Sequence, residues 1–404
     1  MPSQTETAPF EVDQETQMIL DSIDEFIEQE VKPIENELGE TYTNPRLARR
    51  ENGLLVDEVV EAIETIRKKS ADAGFYAMIM PEEHGGEGIS DLTWYRVKKH
   101  VASKGVGLAS MMLKGPEGPN PMLLHGTNEQ IEEFLEPLIR GEKSAAFAQT
   151  EPGVGSDSPN MSTTARKDGE DWVINGQKQW ITNAPFCDFA QVLARTTPKE
   201  EAGRYGGVTC FLVKQDEFEL GSVNNAIGLE GMQSEIILDD VRVPDSRVLG
   251  PVDDAFYIAM GFLSEGRMEL GAQAVGHSEF LIERCKQYAQ EREAFGRPIG
   301  KFQQISTMIA EGRAKNYAAN TAGLKLGWKM DQGEDVVEDG SIFHWMATQT
   351  FWEIADNAVQ VHGANGLSED NPFVDHLEMA RVLRIVEGTD EIQLNTIAKE
   401  NGLL

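Results

Sequence analysis

The chain has 404 residues and carries 68 acidic against 36 basic side chains, which gives it a formal charge of −32. Its length suffices for two or three compact domains, and a hydrophobic share of 40% excludes a mainly disordered protein. A surface this acidic repels nucleic acids and anionic membranes, and no strongly basic stretch offers either of them a site. The surplus acid is typical of proteins that work in high salt, although an ordinary acidic cytosolic protein is an equal alternative.

The sequence also indicates a compartment. Cys187, Cys210 and Cys285 stand far apart and form no CxxC pair, which fits a reducing environment better than a disulfide framework. The N-terminal residues are polar and acidic, unlike a signal peptide, and no apolar run approaches the about 18 residues that a membrane span needs. We therefore expect a cytoplasmic protein without a membrane span.

Three regions with different sequence patterns follow one another along the chain. From about Glu11 to Gly141 apolar residues recur at intervals of three or four, which predicts helices. Short apolar runs then predict strands, and Asn175-Gly176 between two of them predicts a hairpin with a type I′ turn. From Asp253 onward long helical patterns return, one of them predicted to be capped by Ser341.

This order predicts an α+β fold, mainly α, because helices, then strands, then helices follow one another without βαβ alternation. We place an N-terminal helical domain at 1–143, a central β-domain at 144–249 and a C-terminal helical domain at 250–404. The lack of alternation argues against a Rossmann domain, and Gly105-Val106-Gly107 lacks the third glycine of a dinucleotide site. The sequence has no P-loop, no zinc-protease HExxH and no GxSxG nucleophile elbow, so we expect no metal centre.

Two stretches of the β region are candidate binding sites. The segment 148–157 runs from a strand into a loop of small residues whose N–H groups can turn toward an anion. In 178–183, alternation places Trp180 and Thr182 on one strand face and Ile181 on the other, so that an aromatic plane and a hydroxyl can flank a flat heteroaromatic ligand. An ordinary loop and a core tryptophan are the alternatives.

Two further candidates lie in the C-terminal helices. Arg292, Arg297 and Lys301 crowd one tight reversal of an otherwise acidic chain and can grip a pyrophosphate. Glu387 stands between an apolar pair and Gly388, just before a helix that Thr389 can cap, and such a carboxylate can act as a general base. A charge at a helix terminus is the alternative for Glu387.

Together, in this order and spacing, these stretches resemble the acyl-CoA dehydrogenase family over nearly the whole chain, from about residue 11 to 404. The matching motifs are Thr150-Glu151-Pro152 with Gly155-Ser156-Asp157, residues 175–183, residues 292–303, residues 360–366 and Glu387-Gly388-Thr389. The resemblance implies an N-terminal helical domain, a central barrel-like or sandwich β-domain and a C-terminal four-helix bundle. The sequence departs from the family pattern at Ala294, Ala364 and Val386. The first two could weaken contacts with the partner subunit's FAD, but neither is expected to take part in the reaction.

The resemblance also implies FAD as the cofactor and an acyl-CoA as the substrate. The residues that it places at the flavin or its phosphates are Phe147, Gln149, Thr150, Gly155, Ser156, Trp180, Thr182, Arg292, Phe295, Gln303, Gln360, Gly363 and Thr389. The residues that it places at the substrate are Ser156, Arg267, Glu387 and Gly388. Because the 292–303 and 360–366 segments reach the flavin of a neighbouring subunit in this family, the resemblance implies a homo-oligomer, expected to be a tetramer built as a dimer of dimers.

The implied reaction is α,β-dehydrogenation of a thioester in fatty acid β-oxidation. Glu387 takes the α-proton, the β-hydrogen leaves as hydride to the flavin, and electrons pass from there to an electron-transfer flavoprotein. Some members place the base at the position of Gly266 instead, which cannot serve here. An oxidase that uses oxygen and a non-catalytic flavin-bearing assembly subunit are the alternatives. The acyl chain is left open, although no arginine near 103–113 is placed to hold a second carboxylate.

Overall fold

The structure is a computed structural model that describes residues 10–44, 46–261 and 263–404. By their contacts the residues form two compact units. The helical unit comprises the chain up to Glu37, Ile89–Ser110 and Ser264–Leu404, and the sheet unit comprises Leu38–Gly88 and Met111–Leu263. The predicted domain boundaries after residues 143 and 249 follow the order of elements along the chain, and they stay a prediction.

The helices are α1 (Gln14–Phe26), α2 (Lys32–Leu38), α3 (Glu40–Thr43), α4 (Asp57–Asp72), α5 (Asp91–Ala102), α6 (Asn128–Gln130), α7 (Glu136–Ile139), α8 (Lys199–Ala202), α9 (Ala255–Gly261), α10 (Leu263–Glu291), α11 (Gln303–Asp331), α12 (Val337–His362), α13 (Phe373–Leu383) and α14 (Asp390–Glu400). Among the described residues, none of these helices combines the length and the apolar character that crossing a bilayer requires. Helix α1 shows the amphipathic pattern read from the sequence, because Ile23 and Phe26 are buried while Asp21 and Glu25 are exposed.

The strands are β1 (Ala145–Ala148), β2 (Thr164–Asp168), β3 (Asp171–Thr182), β4 (Phe189–Arg195), β5 (Val208–Lys214), β6 (Glu219–Val223), β7 (Gln233–Pro244), β8 (Val248–Leu249), β9 (Glu293–Ala294) and β10 (Arg297–Pro298). In the mixed sheet the order is β6-β7-β3-β2-β4-β5-β8, with β1 parallel to β4. Strand β4 shows why both faces are covered: Phe189 and Leu193 point into one apolar core, while Ala190 and Val192 point into the other. The α+β fold, mainly α, is confirmed.

In the helical unit, α5 packs on α10 and α11. Trp94 and Tyr95 are fully buried, and their polar ends donate to Glu269 at 2.8 Å and to Asn320 at 3.0 Å. The carboxylate of Asp331, the last residue of α11, accepts the backbone N–H of Asp91 at the start of α5. The predicted C-terminal helical domain is confirmed.

Two local predictions are wrong. Asn175-Gly176 is no turn, because β3 runs unbroken from Asp171 to Thr182 and the hairpin turn falls at Gly169-Glu170. Gly176 is needed for a different reason: a Cβ there would lie 2.4 Å from the hydroxyl oxygen of Thr163. Asn175 sits at a β-bulge opposite Asp240, with which it exchanges two hydrogen bonds of 2.9 Å.

The predicted cap of α12 is the second error. The helix begins at Val337, so Ser341 lies inside it. Its hydroxyl donates to the carbonyl of Val337 at 3.1 Å and accepts from Arg267 at 3.0 Å. Inside a helix, a serine hydroxyl can donate to the carbonyl four residues earlier. A serine near the start of a helical pattern is therefore not necessarily the N-cap.

Candidate active site

Glu387 lies in the turn between α13 and α14, on a strained piece of backbone. Its φ is +54° and that of Gly388 is +100°, so two successive residues are left-handed. This conformation costs a residue with a side chain about 1–2 kcal/mol, and it persists only where the surroundings hold it in place. Trp180 and Phe295, two other predicted site residues, also have positive φ, at +61° and +52°.

The side chain of Glu387 lies directly against Gly266 of α10. A Cβ built on Gly266 would be 3.0 Å from Oε2 and 3.2 Å from Cδ of Glu387. The next residue, Arg267, is buried, and its guanidinium donates to the hydroxyl of Ser341. Burial lowers the pKa of Arg267, and the charge of the nearby Glu387 carboxylate opposes that shift.

Gln393 holds the backbone of this turn, and sequence reasoning missed it. Its side chain is fully buried, and its amide nitrogen donates to the carbonyl oxygens of Glu387 and Gly388, both at 3.0 Å. Thr389 caps α14, as predicted, by accepting the N–H of Ile392 at 3.4 Å. Gln393 stands four residues after the cap Thr389, one position beyond the N3 residue of a capping box, so the capping-box pattern gives no signal for it.

In the sheet unit, Trp180 sits at a bulge of β3 and presents its ring outward. Its side chain is 48% exposed, whereas its neighbour Ile181 is 2% exposed and lies in the core. Asn224 accepts the N–H of Trp180 at 2.9 Å. Gln233 of β7 donates to the hydroxyl of Thr182 at 2.9 Å, and its own buried carbonyl oxygen receives no hydrogen bond from the described residues.

The loop after β1 is anchored by a buried ion pair. Glu151 and Lys178 have side-chain exposures of 1% and 0%, and Oε1 of Glu151 lies 2.9 Å from Nζ of Lys178. Burial acts to raise the pKa of Glu151, but the Lys178 ammonium and the hydrogen bonds from Ser162 and Thr163 outweigh it and lower the pKa to about 2. The carboxylate is therefore ionised and fully engaged, so it is structural.

Beyond this anchor the loop is open. Gly153 and Gly155 are exposed, and a Cβ on either would meet no atom within 4 Å. Ser156 is exposed beside them, while Phe147, Gln149 and Thr150 are half-buried along and after β1. Lys178 also donates to the carbonyl of Gln149 at 3.2 Å, so the ion pair positions the strand end as well as the loop.

The predicted basic island lies at the β9–β10 reversal of the helical unit. Arg292, Arg297 and Lys301 are exposed, and within the described parts of the chain no carboxylate comes within ion-pair distance of them. Arg297 instead stacks on the ring of Phe302 at 4.2 Å. Phe295 at the tip is 96% exposed, an unusual position for a phenylalanine.

The predicted residues fall into two groups, one in each unit. Those in the sheet unit are Phe147, Gln149, Thr150, Gly155, Ser156, Trp180 and Thr182, and those in the helical unit are Arg267, Arg292, Phe295, Gln303, Gln360, Gly363, Glu387, Gly388 and Thr389. Within the helical unit the structure brings Arg267 and Glu387 together. Gln303 begins α11 and Gln360 is near the end of α12, both exposed, and Gly363 follows at φ +61° with open space around it.

These features fit a flavin dinucleotide. An outward-facing indole beside the Thr182 hydroxyl and an unsatisfied carbonyl oxygen on Gln233 suit a flat ring that carries both donors and acceptors. A glycine loop without side-chain obstruction suits the close approach of backbone N–H groups to phosphate. Arg292 and Lys301, which lack a carboxylate partner among the described residues, suit a diphosphate.

Comparisons with known proteins agree with this geometry. The models of the acyl-CoA dehydrogenase N-terminal, middle and C-terminal domains match residues 13–142, 146–241 and 253–401. A 3-(aryl)acrylate reductase of Clostridium sporogenes is 36% identical over 93% of this chain and 95% of its own length. The caffeyl-CoA reductase-Etf complex subunit CarC of Acetobacterium woodii is 36% identical over 85% of this chain and 92% of its own.

A solved structure gives the same answer at the level of the fold. The FAD complex of PigA superposes with a TM-score of 0.84, is 26% identical, and covers 98% of this chain and 99% of that one. The three domain models together with relatives of this identity and coverage establish the family, and with it the cofactor. The chain therefore belongs to the acyl-CoA dehydrogenase family, an oxidoreductase family, and uses FAD.

Proposed function

We propose that the protein removes the α- and β-hydrogens of an acyl-CoA thioester to give a trans-2-enoyl-CoA, with Glu387 as the base. The observation that carries this proposal is the position of Glu387, held on a left-handed turn with its carboxylate against Gly266 and near the buried Arg267. A thioester α-hydrogen is only weakly acidic, so its removal needs a carboxylate fixed at one point. A strained backbone around an otherwise ordinary glutamate supports such a use.

The chain's own residues would act as follows. Glu387 takes the α-proton onto its carboxylate, and the Glu387 backbone N–H holds the thioester carbonyl oxygen. Gly388, with no side chain, leaves the thioester room beside that carbonyl site. Arg267 attracts the Glu387 carboxylate and so restricts its movement. We expect Ser156, which is exposed on the loop after β1, to bind phosphate or substrate.

FAD, when bound, supplies the two-electron acceptor for the β-hydrogen. Trp180 and Thr182 would flank its ring, with Phe147, Gln149 and Thr150 alongside. The loop at Gly155 would hold phosphate oxygens through its N–H groups. We infer that Arg292, Phe295, Gln303, Gln360 and Gly363 serve the cofactor of a second copy of the chain. This would explain why Phe295 stands exposed beside Arg292 and Lys301, for which the described residues supply no carboxylate.

We infer that the electrons leave through an electron-transfer flavoprotein. The name of the Acetobacterium relative, a subunit of a reductase-Etf complex, supports this partner. An oxidase that passes electrons to oxygen stays the alternative, and it predicts peroxide formation in air.

A second direction of the same reaction is favoured by one observation. Both relatives at 36% identity are named reductases, one of 3-(aryl)acrylates and one of caffeyl-CoA. Running backward, a protonated Glu387 would return its proton to the α-carbon of an aryl-substituted enoyl thioester, and the β-carbon would receive a hydride from the reduced flavin, as microscopic reversibility requires. The protein would then saturate a double bond conjugated to a ring.

One experiment separates these possibilities. Butyryl-, octanoyl-, palmitoyl- and 3-phenylpropionyl-CoA are added without oxygen to the purified yellow protein, and loss of the flavin colour is followed. We expect at least one of them to bleach it. Rapid recolouring in air with peroxide would indicate the oxidase. For the reductase, two rates are compared. Cinnamoyl-CoA should restore the colour of chemically reduced protein faster than 3-phenylpropionyl-CoA bleaches the oxidised protein. No response to any thioester would contradict the proposal.

A further inference from the structure

Asp390, the first residue of α14, joins three parts of the helical unit through one oxygen atom. Its Oδ2 accepts Nε of Arg384 at 2.8 Å, lies 2.7 Å from the terminal nitrogen of the same arginine, and accepts the side-chain amide of Gln349 at 2.8 Å. The backbone N–H of Asp390 also donates to the carbonyl of Arg384 at 3.2 Å. Arg384 directly follows α13, so Asp390 ties the end of one helix to the start of the next.

The two other partners of this arrangement lie on α12. Gln349 is one, and Trp352, one turn later, is the other, because the guanidinium of Arg384 stands 5.8 Å from the centre of its indole ring. The ion pair is largely withdrawn from water, with side-chain exposures of 22% for Arg384 and 11% for Asp390. The Arg384–Asp390 pair therefore packs against α12 and also links the two ends of the turn. Because it is largely buried, water and salt weaken it little.

Between its two ends lies the turn that carries Glu387. The residues from 385 to 389 enter at Arg384 and leave at Asp390, and two of them, Glu387 and Gly388, are left-handed. Backbone strain of this kind relaxes unless both ends of the segment are held. Gln393 holds the middle, through the two carbonyl oxygens, and the Arg384–Asp390 pair holds the ends.

We propose that Arg384, Asp390 and Gln349 form a clamp that positions the Glu387 carboxylate for proton transfer. This inference rests on the proposed function of Glu387. The simpler role for Asp390 is an acid in the first turn of a helix, where it favours the helix dipole. That role needs only a charge near water. It does not account for a buried carboxylate whose other oxygen, Oδ1, receives no hydrogen bond from the described residues.

The test compares Asp390→Asn and Arg384→Gln with a matched control, Glu217→Gln. Glu217 pairs with Arg247 in the sheet unit at comparable exposures of 26% and 12%, and it has no part in the proposed site. For each variant kcat, KM, FAD content and melting temperature are measured with the acyl-CoA that bleaches the wild type best. Exchange of the α-hydrogens of phenylacetyl-CoA in D2O is followed as well, since this thioester has no β-hydrogen and reports on the base alone.

We expect the clamp variants to lose about 10- to 100-fold in kcat and in exchange rate, with KM within about twofold of wild type and FAD retained. Their melting temperatures should fall no further than that of Glu217→Gln. Wild-type exchange and kcat in both clamp variants would overturn the proposal. So would a loss of activity that merely follows loss of FAD or of thermal stability.

A second arm separates positioning from general damage. In a variant with the base moved to α10, Gly266→Glu/Glu387→Gly, adding Asp390→Asn should change the exchange rate by less than about twofold, because the turn no longer carries the base. An equal loss in both backgrounds would overturn the clamp. If the relocated variant is inactive, the comparison with Glu217→Gln decides. Wild-type protein that neither bleaches nor exchanges with any thioester would instead overturn the proposed function, and the clamp's role with it.

Discussion

The carboxylate of Glu387 and the bare backbone of Gly266 occupy adjoining space, 121 residues apart in the sequence. A single carbon atom added to Gly266 would stand 3.0 Å from Oε2 of Glu387, closer than side-chain carbons normally approach an oxygen. The two positions at which the family resemblance leads us to expect a base are therefore neighbours here, and each constrains the other. The glycine is what leaves room for the glutamate.

Substitution of the proposed base, Glu387, gives the most direct prediction. Glu387→Gln keeps the size of the side chain but removes its ability to accept a proton. We expect protein that is still yellow and loaded with FAD, with kcat lower by about 100- to 10,000-fold. Steady-state assays with the best acyl-CoA, alongside the flavin spectrum, check this. Turnover near that of the wild type would exclude Glu387 as the base.

Gly266→Ala should change stability and activity in opposite directions. Alanine favours a helix interior over glycine by up to about 1 kcal/mol, so the melting temperature should hold or rise. The new methyl group would displace the Glu387 carboxylate by a few tenths of an ångström, and kcat should fall severalfold. Thermal melts and kinetics on the same preparation test both signs. An alanine variant with unchanged kcat would show that the carboxylate has freedom to move.

The basic island gives a prediction about cofactor retention. Arg292→Gln removes a cation for which no described residue supplies a carboxylate, so nothing in the fold should suffer. We expect the fraction of bound FAD after dilution to fall, because a diphosphate loses a charge-assisted partner. Lys286→Gln is the control, since Lys286 already pairs with Glu283 at 3.0 Å. Equal FAD retention in the two variants would remove Arg292 from the site.

Buried histidines make the helical unit sensitive to mild acid. Burial lowers the pKa of His344 and of His376 to about 4, and the charge of Arg267 adds to the effect at His344. Because the folded values lie below the ordinary value near 6.5, stability is complete above about pH 6.5. It is lost as the pH falls from there toward 4, by about 2 kcal/mol for each histidine at pH 5.

Melting temperatures between pH 7.5 and 5 test this slope. His344→Gln and His376→Gln should each flatten it, whereas His125→Gln, which removes an exposed histidine, should leave it unchanged. A slope that survives both core substitutions would mean that other groups cause the acid sensitivity.

The excess of acidic residues predicts tolerance of salt. With a formal charge of −32, self-repulsion destabilises the folded chain, and salt screens it. The Glu151–Lys178 pair, with exposures of 1% and 0%, is out of reach of that screening. We therefore expect FAD retention and activity to persist or improve in molar KCl. Release of FAD under these conditions would show that the acidic surface is not an adaptation to high salt.

Much of this fold can be predicted from the sequence, because helices and strands depend on the local spacing of apolar residues. The three-part order follows from spacing alone, and Thr389 was recognisable as a helix cap from its neighbours. Asn175-Gly176 was misread because the reason for the glycine is contact with Thr163, which no local pattern reveals. In the sequence, a glycine that a tight turn requires cannot be distinguished from a glycine that close packing requires.

The candidate site likewise contains residues that the sequence predicts and residues that it does not. Glu387 could be chosen from its motif, but its support could not. Gln349 and Asp390 are 41 residues apart and meet only because α12 and α14 pack together. Likewise Glu151 and Lys178, 27 residues apart, form an ion pair across separate elements of the sheet unit. Residues that act on a ligand carry family motifs, whereas the residues that hold them are identified only in three dimensions.

The helical unit has a consequence for how the protein is made. Helix α5 has its partners far ahead in the chain: Trp94 bonds to Glu269, 175 residues later, and Tyr95 to Asn320, 225 residues later. At the usual pace of a ribosome, about 5–20 residues per second, α5 leaves the exit tunnel on the order of ten to forty seconds before its partners. Its fully buried Trp94 and Tyr95 have to be kept from other nascent chains for that long, so the yield of folded protein will depend on the chaperones present while it is being translated.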